Sequence, residues 1–307
     1  MSSRLTDFSL KRSWVTIGSF DGVHLGHQYL VRKLVEGAHA AGCEAVIITF
    51  DPHPAVFFKR VPASNLLTSP EEREFLLYQL GADQVITLQF DASVASLTAS
   101  EFVSLMKKHL GIEHLLAGID FALGKNRTGT IPELIRLGIP LGIDVEIVTP
   151  LLVDDLAVSS SQIRQMLQSE ELSVANAMLG RPYALTGQVV HGEARGARLG
   201  FPTANMQIPP ERLLPANGVY VTRAMIDGKV YGSVTNIGIR PTFDNPLLTP
   251  RVEPFLLDVN DDFYGEQLKL EFIEFLRPEI KFPDTQSLIQ QINLDVLKAR
   301  EVLAHDA

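Results

Sequence analysis

Two histidines, His24 and His27, stand three residues apart after an apolar stretch and a glycine-rich turn. A helical pattern begins there, and this spacing places both side chains on one face of a helix. A helix N-terminus attracts anions, and two imidazoles beside it can stabilise charge that develops on a phosphate. The alternative is a zinc-binding or structural pair. The glycines Gly18, Gly22 and Gly26 favour nucleotide phosphates, because they permit a tight turn and close approach of a ligand to the backbone.

A glycine-rich segment, residues 192–205, contains a second set of candidate groups. It has glycines at positions 192, 196 and 200, two arginines, and the ending GFPTAN. Glycines let backbone amides converge on a phosphate, and Thr203 and Asn205 offer oxygen ligands that suit Mg²⁺. A loop of this composition is by itself weak evidence for phosphate binding.

Glu253 lies near the start of a strand pattern, 252–259, that is otherwise apolar up to Asp258. Pro254 follows it and removes a ladder hydrogen bond, which predicts an edge strand or a bulge. A carboxylate among apolar neighbours suits a general base, because burial disfavours its charged form. The alternative is a strand-end glutamate that faces water.

The elements that must position the histidines alternate between strand and helix patterns through the first 180 residues. Two capping boxes, Ser69 with Glu72 and Thr98 with Glu101, predict helix starts. The pattern predicts a parallel sheet wrapped by helices, with ligands at the carboxyl ends of the strands. The predicted strands are 14–17, 45–50, 84–88, 114–117 and 145–148, and the first helix is 27–41.

The pattern changes after residues 180–182, Gly-Arg-Pro. Strand patterns then follow one another, Asp227-Gly228 predicts a hairpin, and one helix capped by Asp284 ends the chain. This predicts a small antiparallel β-barrel with a C-terminal helix, and two domains, 1–182 and 183–307. The predicted barrel strands are 184–190, 219–226, 229–236, 252–259 and 268–276.

Composition narrows the classes of function. The 307 residues suffice for two domains, and a net charge of −9 argues against nucleic acid as a partner. Cys43 is the only cysteine, which excludes a disulfide framework and a cysteine-based zinc site. No stretch approaches 18 apolar residues, so we expect no membrane span and a cytoplasmic location. Nothing implies an obligate protein partner.

The motifs resemble those of the prokaryotic bifunctional riboflavin kinase/FAD synthetase family. Residues 20–27, FDGVHLGH, are similar to the His-x-Gly-His motif of the nucleotidylyltransferase superfamily, and GFPTAN at 200–205 is similar to the riboflavin kinase signature. Class I aminoacyl-tRNA synthetases share a similar histidine motif but need a lysine-rich second motif, and residues 159–164 contain no lysine. Further matching blocks are TFDPHP (49–54), GIDF (118–121), VSSSQIR (158–164), PANGVY (215–220), NIGIRPTF (236–243), VE (252–253), DFYG (262–265) and LRPE (276–279).

This resemblance implies a Rossmann-like nucleotidylyltransferase α/β domain, followed by a barrel domain that phosphorylates riboflavin. ATP would phosphorylate riboflavin in the barrel, with Mg²⁺ on Thr203 and Asn205 and with Glu253 as the base. FMN would then react with a second ATP to give FAD, with His24, His27 and Arg164 stabilising the developing charge. The implied ATP- and flavin-binding residues are Gly18, Ser19, Phe20, Asp21, Gly26, Asp51, Asp120, Ser159, Ser160, Gly192, Arg195, Gly200, Phe201, Asn236 and Arg240.

Three points stay open at this stage. One of the serines at 159–161 is expected to be a plain helix N-cap. Leu123 stands where the family often carries an aromatic residue, which predicts weaker binding of the flavin ring. Two alternatives to the bifunctional enzyme are a chain with one active domain and a flavin-binding storage or sensor protein.

Overall fold

A computed structural model describes residues 3–60, 62, 65–149, 151–153, 156–191, 200–238, 251–259, 261 and 263–305. The chain divides into two compact units, residues 1–160 and 161–307. None of the helices in the described part is long and apolar enough to cross a membrane.

The first unit contains the parallel sheet that the sequence predicts, in the order β3-β2-β1-β4-β7. The chain runs from β1 towards β3 and then returns to the other side of β1. The carboxyl ends of β1 and β4 therefore flank the switch point at which such sheets bind ligands. The strands of this sheet are β1 Ser13–Ile17, β2 Glu44–Asp51, β3 Gln84–Gln89, β4 Ile112–Gly118 and β7 Asp144–Val148.

Helices and two short hairpins surround this sheet. Both predicted capping boxes are present, at Ser69 with Glu72 and at Thr98 with Glu101. The first helix begins at Leu25, two residues before the predicted start, because His24 is its N-cap. The helices are α1 Leu25–Ala40, α2 Pro54–Phe57, α3 Pro70–Gln79, α4 Ala92–Ser96, α5 Ala99–Leu110 and α6 Ile131–Gly138; the hairpins pair β5 Ala122–Leu123 with β6 Gly129–Thr130 and β8 Leu152–Val153 with β9 Leu156–Ala157.

Apolar clusters cover both faces of the sheet. One cluster packs Val15, Ile48 and Phe102 together, and the other packs Ile47 against Leu34 of α1. Two covered faces explain why the strands are almost continuously apolar rather than alternating. A sheet buried in this way is a rigid support for the loops at its carboxyl edge.

The second unit holds a closed antiparallel barrel in the order β10-β11-β14-β13-β12-β15, which confirms the predicted architecture. The C-terminal helix begins after Asp284, which accepts a hydrogen bond from Ser287 N at 2.7 Å as predicted. The elements are α7 Ser160–Gln168, α8 Leu172–Leu179, β10 Tyr183–Val190, β11 Asn205–Gln207, β12 Gly218–Ile226, β13 Lys229–Gly238, β14 Arg251–Leu256, β15 Gln267–Arg277 and α9 Thr285–His305.

The prediction that Pro254 marks an edge strand or a bulge is wrong. Strand β14 lies between β11 and β13, and its register with β13 is unbroken. Pro254 accepts a hydrogen bond from Ala204 N at 2.9 Å and offers none in return. The barrel tolerates the proline because β11 is only three residues long and few ladder bonds depend on it.

Candidate active sites

The turn between β1 and α1 has a strained backbone. Phe20 and Val23 have φ values of 48° and 39°, and Gly22 between them has a φ of 81°. Left-handed conformations are costly for residues other than glycine, above all for a β-branched valine. Strain of this kind persists where the surrounding structure enforces it and is concentrated at functional sites.

Asp21 helps to hold this turn in its strained conformation. Its carboxylate is 1% exposed and accepts hydrogen bonds from Leu67 N at 3.0 Å and from Thr68 N at 3.1 Å. The Thr68 hydroxyl donates to the same carboxylate and accepts from Gly22 N at 3.1 Å. The side chain of Asp21 thus ties the turn to the segment before α3.

The two histidine rings stack at the N-terminus of α1, with centroids 3.6 Å apart and an interplanar angle of 18°. His24 Nδ1 accepts a hydrogen bond from His27 N at 3.3 Å, so the proton of this neutral ring is on Nε2. His27 Nδ1 is buried and has no hydrogen-bond partner among the described residues. A proton there would be buried without an acceptor, so His27 also carries its proton on Nε2. Both rings are therefore Nε2–H donors.

Burial lowers the pKa of His27 well below its ordinary value, and the nearby His24 and Arg73 lower it further. The ring of Phe20 packs edge-on against His27, with centroids 5.1 Å apart. His27 is thus a neutral, fixed hydrogen-bond donor at physiological pH.

Other predicted residues of the first unit gather at the same edge. The hydroxyl of Ser160, the last residue of the first unit, donates to Asp21 O of the histidine turn at 2.8 Å. A Cβ atom on Gly26 would lie 3.6 Å from Val158 O, so this segment passes close to the start of α1. Asp51 ends β2, and Asp120 follows β4.

A second polar group lies on the barrel. Asn236 of β13 pairs with Glu253 of β14. On its other side β14 pairs with β11, where Met206 lies opposite Val252. One residue further along this antiparallel register, Asn205 lies opposite Glu253. Directly opposed residues point to the same face of a sheet. Asn205, Glu253 and Asn236 therefore form one lateral row, which we call the polar row.

Thr203 and Asn205 flank Ala204, and the spacing of two residues places their side chains on one face of an extended chain. Their hydroxyl and amide oxygens are hard ligands of the kind that Mg²⁺ accepts. No group of three or more His, Cys, Asp or Glu side chains within the described part of the chain could hold a metal ion. The donors fit a cation that takes most of its other ligands from phosphates and water.

Comparison with known proteins gives two family matches. Residues 7–162 match the FAD synthetase model, and residues 179–303 match the riboflavin kinase model. The bifunctional riboflavin kinase/FMN adenylyltransferase of Bacillus subtilis (strain 168) is 35% identical over 94% of this chain and 92% of its own length. The enzyme of the same name from Pseudomonas fluorescens is 37% identical over 95% and 93%.

The chain belongs to this bifunctional family. It is a riboflavin kinase and FMN adenylyltransferase, with riboflavin, FMN and ATP as its small-molecule substrates. A crystal structure from Streptococcus pneumoniae, described as a macrolide-efflux protein, shares the fold over 96% of both chains, with a TM-score of 0.88 and 31% identity.

In this bifunctional enzyme, several predicted binding residues make backbone hydrogen bonds or are buried in the core. Gly18 N donates to Ile48 O at 3.0 Å, and Ser19 O accepts from the Thr49 hydroxyl at 3.1 Å. Phe20 is 2% exposed and lies in the core beneath the turn. Leu123, where the family often has an aromatic residue, is buried in the other core cluster.

The remaining predicted residues are distributed between the two units. Ser159 immediately precedes α7, and Arg164 lies on that helix in the second unit. Gly200 has a φ of 88°, and the ring of Phe201 packs edge-on against Phe255 at 5.5 Å. Gly192, Arg195 and Arg240 lie outside the described residues.

Two features escaped sequence reasoning. Phe57 of α2 and Phe58, which follows the helix, form a partly exposed aromatic cluster with Phe90, with ring centroids 5.3 to 5.7 Å apart. The residues were visible in the sequence, but only the fold brings Phe90 after β3 beside α2. The second feature is the position of Glu279 beside the polar row: its carboxylate lies 3.5 Å from Asn236 Nδ2 and occupies the space that a side chain at Gly238 would fill.

Proposed function

We propose that adenylyl transfer takes place at the histidine turn of the first unit, and phosphoryl transfer at the polar row of the barrel. The observation that carries the first assignment is the pair of Nε2–H donors at the start of α1. Two fixed, neutral donors beside a helix N-terminus are suited to oxygens on which negative charge develops.

At the histidine turn, a phosphate oxygen of FMN would attack the α-phosphorus of ATP. The bond to the bridging oxygen breaks, and pyrophosphate leaves with that electron pair. His24 and His27 would donate to the phosphate oxygens, while Ser159, Ser160 and Arg164 would bind the phosphates. The aromatic cluster at α2 offers a flat apolar surface for the flavin ring, as expected for an aromatic ligand.

At the polar row, Glu253 would accept the proton of the riboflavin 5′-hydroxyl, whose oxygen attacks the γ-phosphorus of ATP while ADP leaves. Asn205 and Thr203 would hold Mg²⁺, which neutralises charge on the transferring phosphates when bound. Asn236 lies on the other side of Glu253 and would fix the orientation of the substrate or of the carboxylate.

Removal of one proposed metal ligand tests the second assignment. Asn205→Ala should raise the Mg²⁺ concentration needed for half-maximal FMN formation about tenfold or more, because about 10- to 100-fold losses follow even from changes around a metal site. The Mg²⁺ dependence of FAD formation from supplied FMN should stay unchanged. The control is Asn293→Ala on α9, where the side-chain amide donates to the helix backbone at Ile289 O. Equal Mg²⁺ dependence in the variant and the control would remove Asn205 from the metal site.

We also propose that the FMN adenylyltransferase domain comprises residues 1–182 and the kinase domain residues 183–307. The cytoplasmic location and the lack of an obligate protein partner stay predictions from the sequence.

A further inference from the structure

Arg73 of α3 is 1% exposed, although arginine is rarely buried without compensation. Its Nη2 donates to Phe50 O at 3.0 Å. Its Nε–H is buried and has no hydrogen-bond partner among the described residues. Burial of a guanidinium with an unmade hydrogen bond is costly, and an apolar side chain could fill the same volume. The positive charge of Arg73 is therefore not explained by packing alone.

The position of Arg73 connects two parts of the histidine site. Helix α3 follows directly on the segment 67–69, which Asp21 ties to the histidine turn. Phe50, the acceptor of the Arg73 hydrogen bond, is the residue before Asp51 at the carboxyl end of β2. One buried side chain thus links the turn after β1 with the end of the neighbouring strand.

We propose that Arg73 is a positioning residue for adenylyl transfer: its buried guanidinium holds the end of β2 beside the histidine turn and keeps a positive charge within the histidine site. The inference rests on the proposed function of the histidine pair.

The charges around Arg73 are consistent with this role. The guanidinium interacts with the carboxylates of Asp21, Asp51, Glu71 and Glu74, which favour its charged form and oppose the effect of burial. Burial of the ring disfavours protonation of His27, and the neighbouring His24 and Arg73 disfavour it further. Loss of the guanidinium would remove the contribution of Arg73, so the pKa of His27 would rise.

The test compares Arg73→Met with Arg73→Lys in the full chain, and follows FAD formation from supplied FMN between pH 5.5 and 9. In Arg73→Met we expect kcat at pH 8 to fall about 10- to 100-fold, the range that small misplacements of reacting groups produce. The acid limb of its profile should move to higher pH but stay below pH 6.5, because burial, the larger cause of the lowered pKa of His27, remains. Arg73→Lys keeps the charge and a donor for Phe50 O, so it should restore the position of the acid limb.

The control is Arg136→Met on α6, an arginine whose side chain is 69% exposed and pairs with Glu133. Thermal unfolding establishes that each variant is folded at the assay temperature, and Arg73→Gln replaces Arg73→Met if the latter does not fold. The inference is overturned if the folded neutral variant keeps the wild-type kcat and acid limb. It is also overturned if neither neutral variant folds, because Arg73 would then be structural only. His27→Ala is measured in parallel, since full FAD formation in that variant would refute the histidine site itself.

Discussion

At the scale of single residues, hydrogen bonds and burial determine which nitrogen of each histidine in the pair carries the proton. The spacing of His24 and His27 in the sequence predicts a shared helix face, and the structure confirms it with stacked rings. The tautomers could not be predicted, because they depend on the backbone N–H of His27 and on the burial of His27 Nδ1. Likewise, the sequence predicts Asp21 as a ligand-binding residue but gives no sign that its carboxylate also bonds the segment before α3.

The lowered pKa of His27 predicts a pH-dependent stability of the first unit. An unfolded chain binds a proton on this histidine below about pH 6.5, whereas the folded chain does so only at much lower pH. The free energy of unfolding should therefore fall as the pH drops below 6.5, by up to about 1.4 kcal/mol per pH unit. Above pH 6.5 this contribution is constant.

Urea unfolding followed by the fluorescence of Trp14, the only tryptophan and a residue of β1, reports on the correct unit. His27→Gln should abolish this part of the pH dependence, because glutamine does not titrate. His109→Gln on α5 is the control. A wild-type slope that persists in His27→Gln would refute the attribution to His27.

Glu253 lies at the centre of the polar row, where its loss should affect one reaction only. Glu253→Gln preserves shape but cannot accept the proton, so FMN formation in single turnover should slow by about 10² to 10⁴. Riboflavin affinity and FAD synthesis from supplied FMN should stay near wild type. Glu274→Gln, an exposed glutamate on β15, is the matched control. A fall of less than tenfold would make Glu253 an ordinary strand glutamate.

At the scale of elements, the sequence predicts the strands and helix starts that local residue patterns determine. It misses the features of the barrel that depend on its closure. The five parallel strands and both capping boxes follow from apolar stretches and from residue pairs three apart, so they were predicted within a few residues. Strand β11 has only three residues and no alternating pattern, and it is a strand only because β10 and β14 flank it. The same closure explains why Pro254 does not lie at an edge.

Helices α7 and α8 belong to the compact unit of the barrel, which gives a prediction about fragments. Asn176 of α8 donates to Phe272 O at 2.9 Å and accepts from Tyr183 N at 2.8 Å, and Ala216 N donates to Leu167 O of α7 at 2.9 Å. A fragment 161–307 should therefore be more stable than a fragment 181–307. Both should convert riboflavin to FMN, as assayed by chromatography, and urea unfolding compares their stabilities. A longer fragment no more stable than the shorter one would mean that these contacts contribute nothing.

At the scale of the whole molecule, the two family matches cover residues 7–162 and 179–303, so each reaction has its own part of the chain. Apart from Arg164, the polar groups that we assign to the reactions are divided in the same way. The histidine turn and its supporting bonds lie in the first unit, and the polar row lies in the second. Arg164, on α7, is the one proposed adenylylation residue that falls in the second unit.

The most direct test of this division measures both reactions, each with its own flavin substrate supplied, in His24→Ala and His27→Ala. The account predicts that riboflavin phosphorylation stays near wild type, whereas FMN adenylylation falls by about 10² or more, as for loss of a donor to developing charge. Circular dichroism and thermal unfolding establish that the variants are folded. Equal loss of both activities in a folded variant, or full FAD synthesis without the histidines, would contradict it.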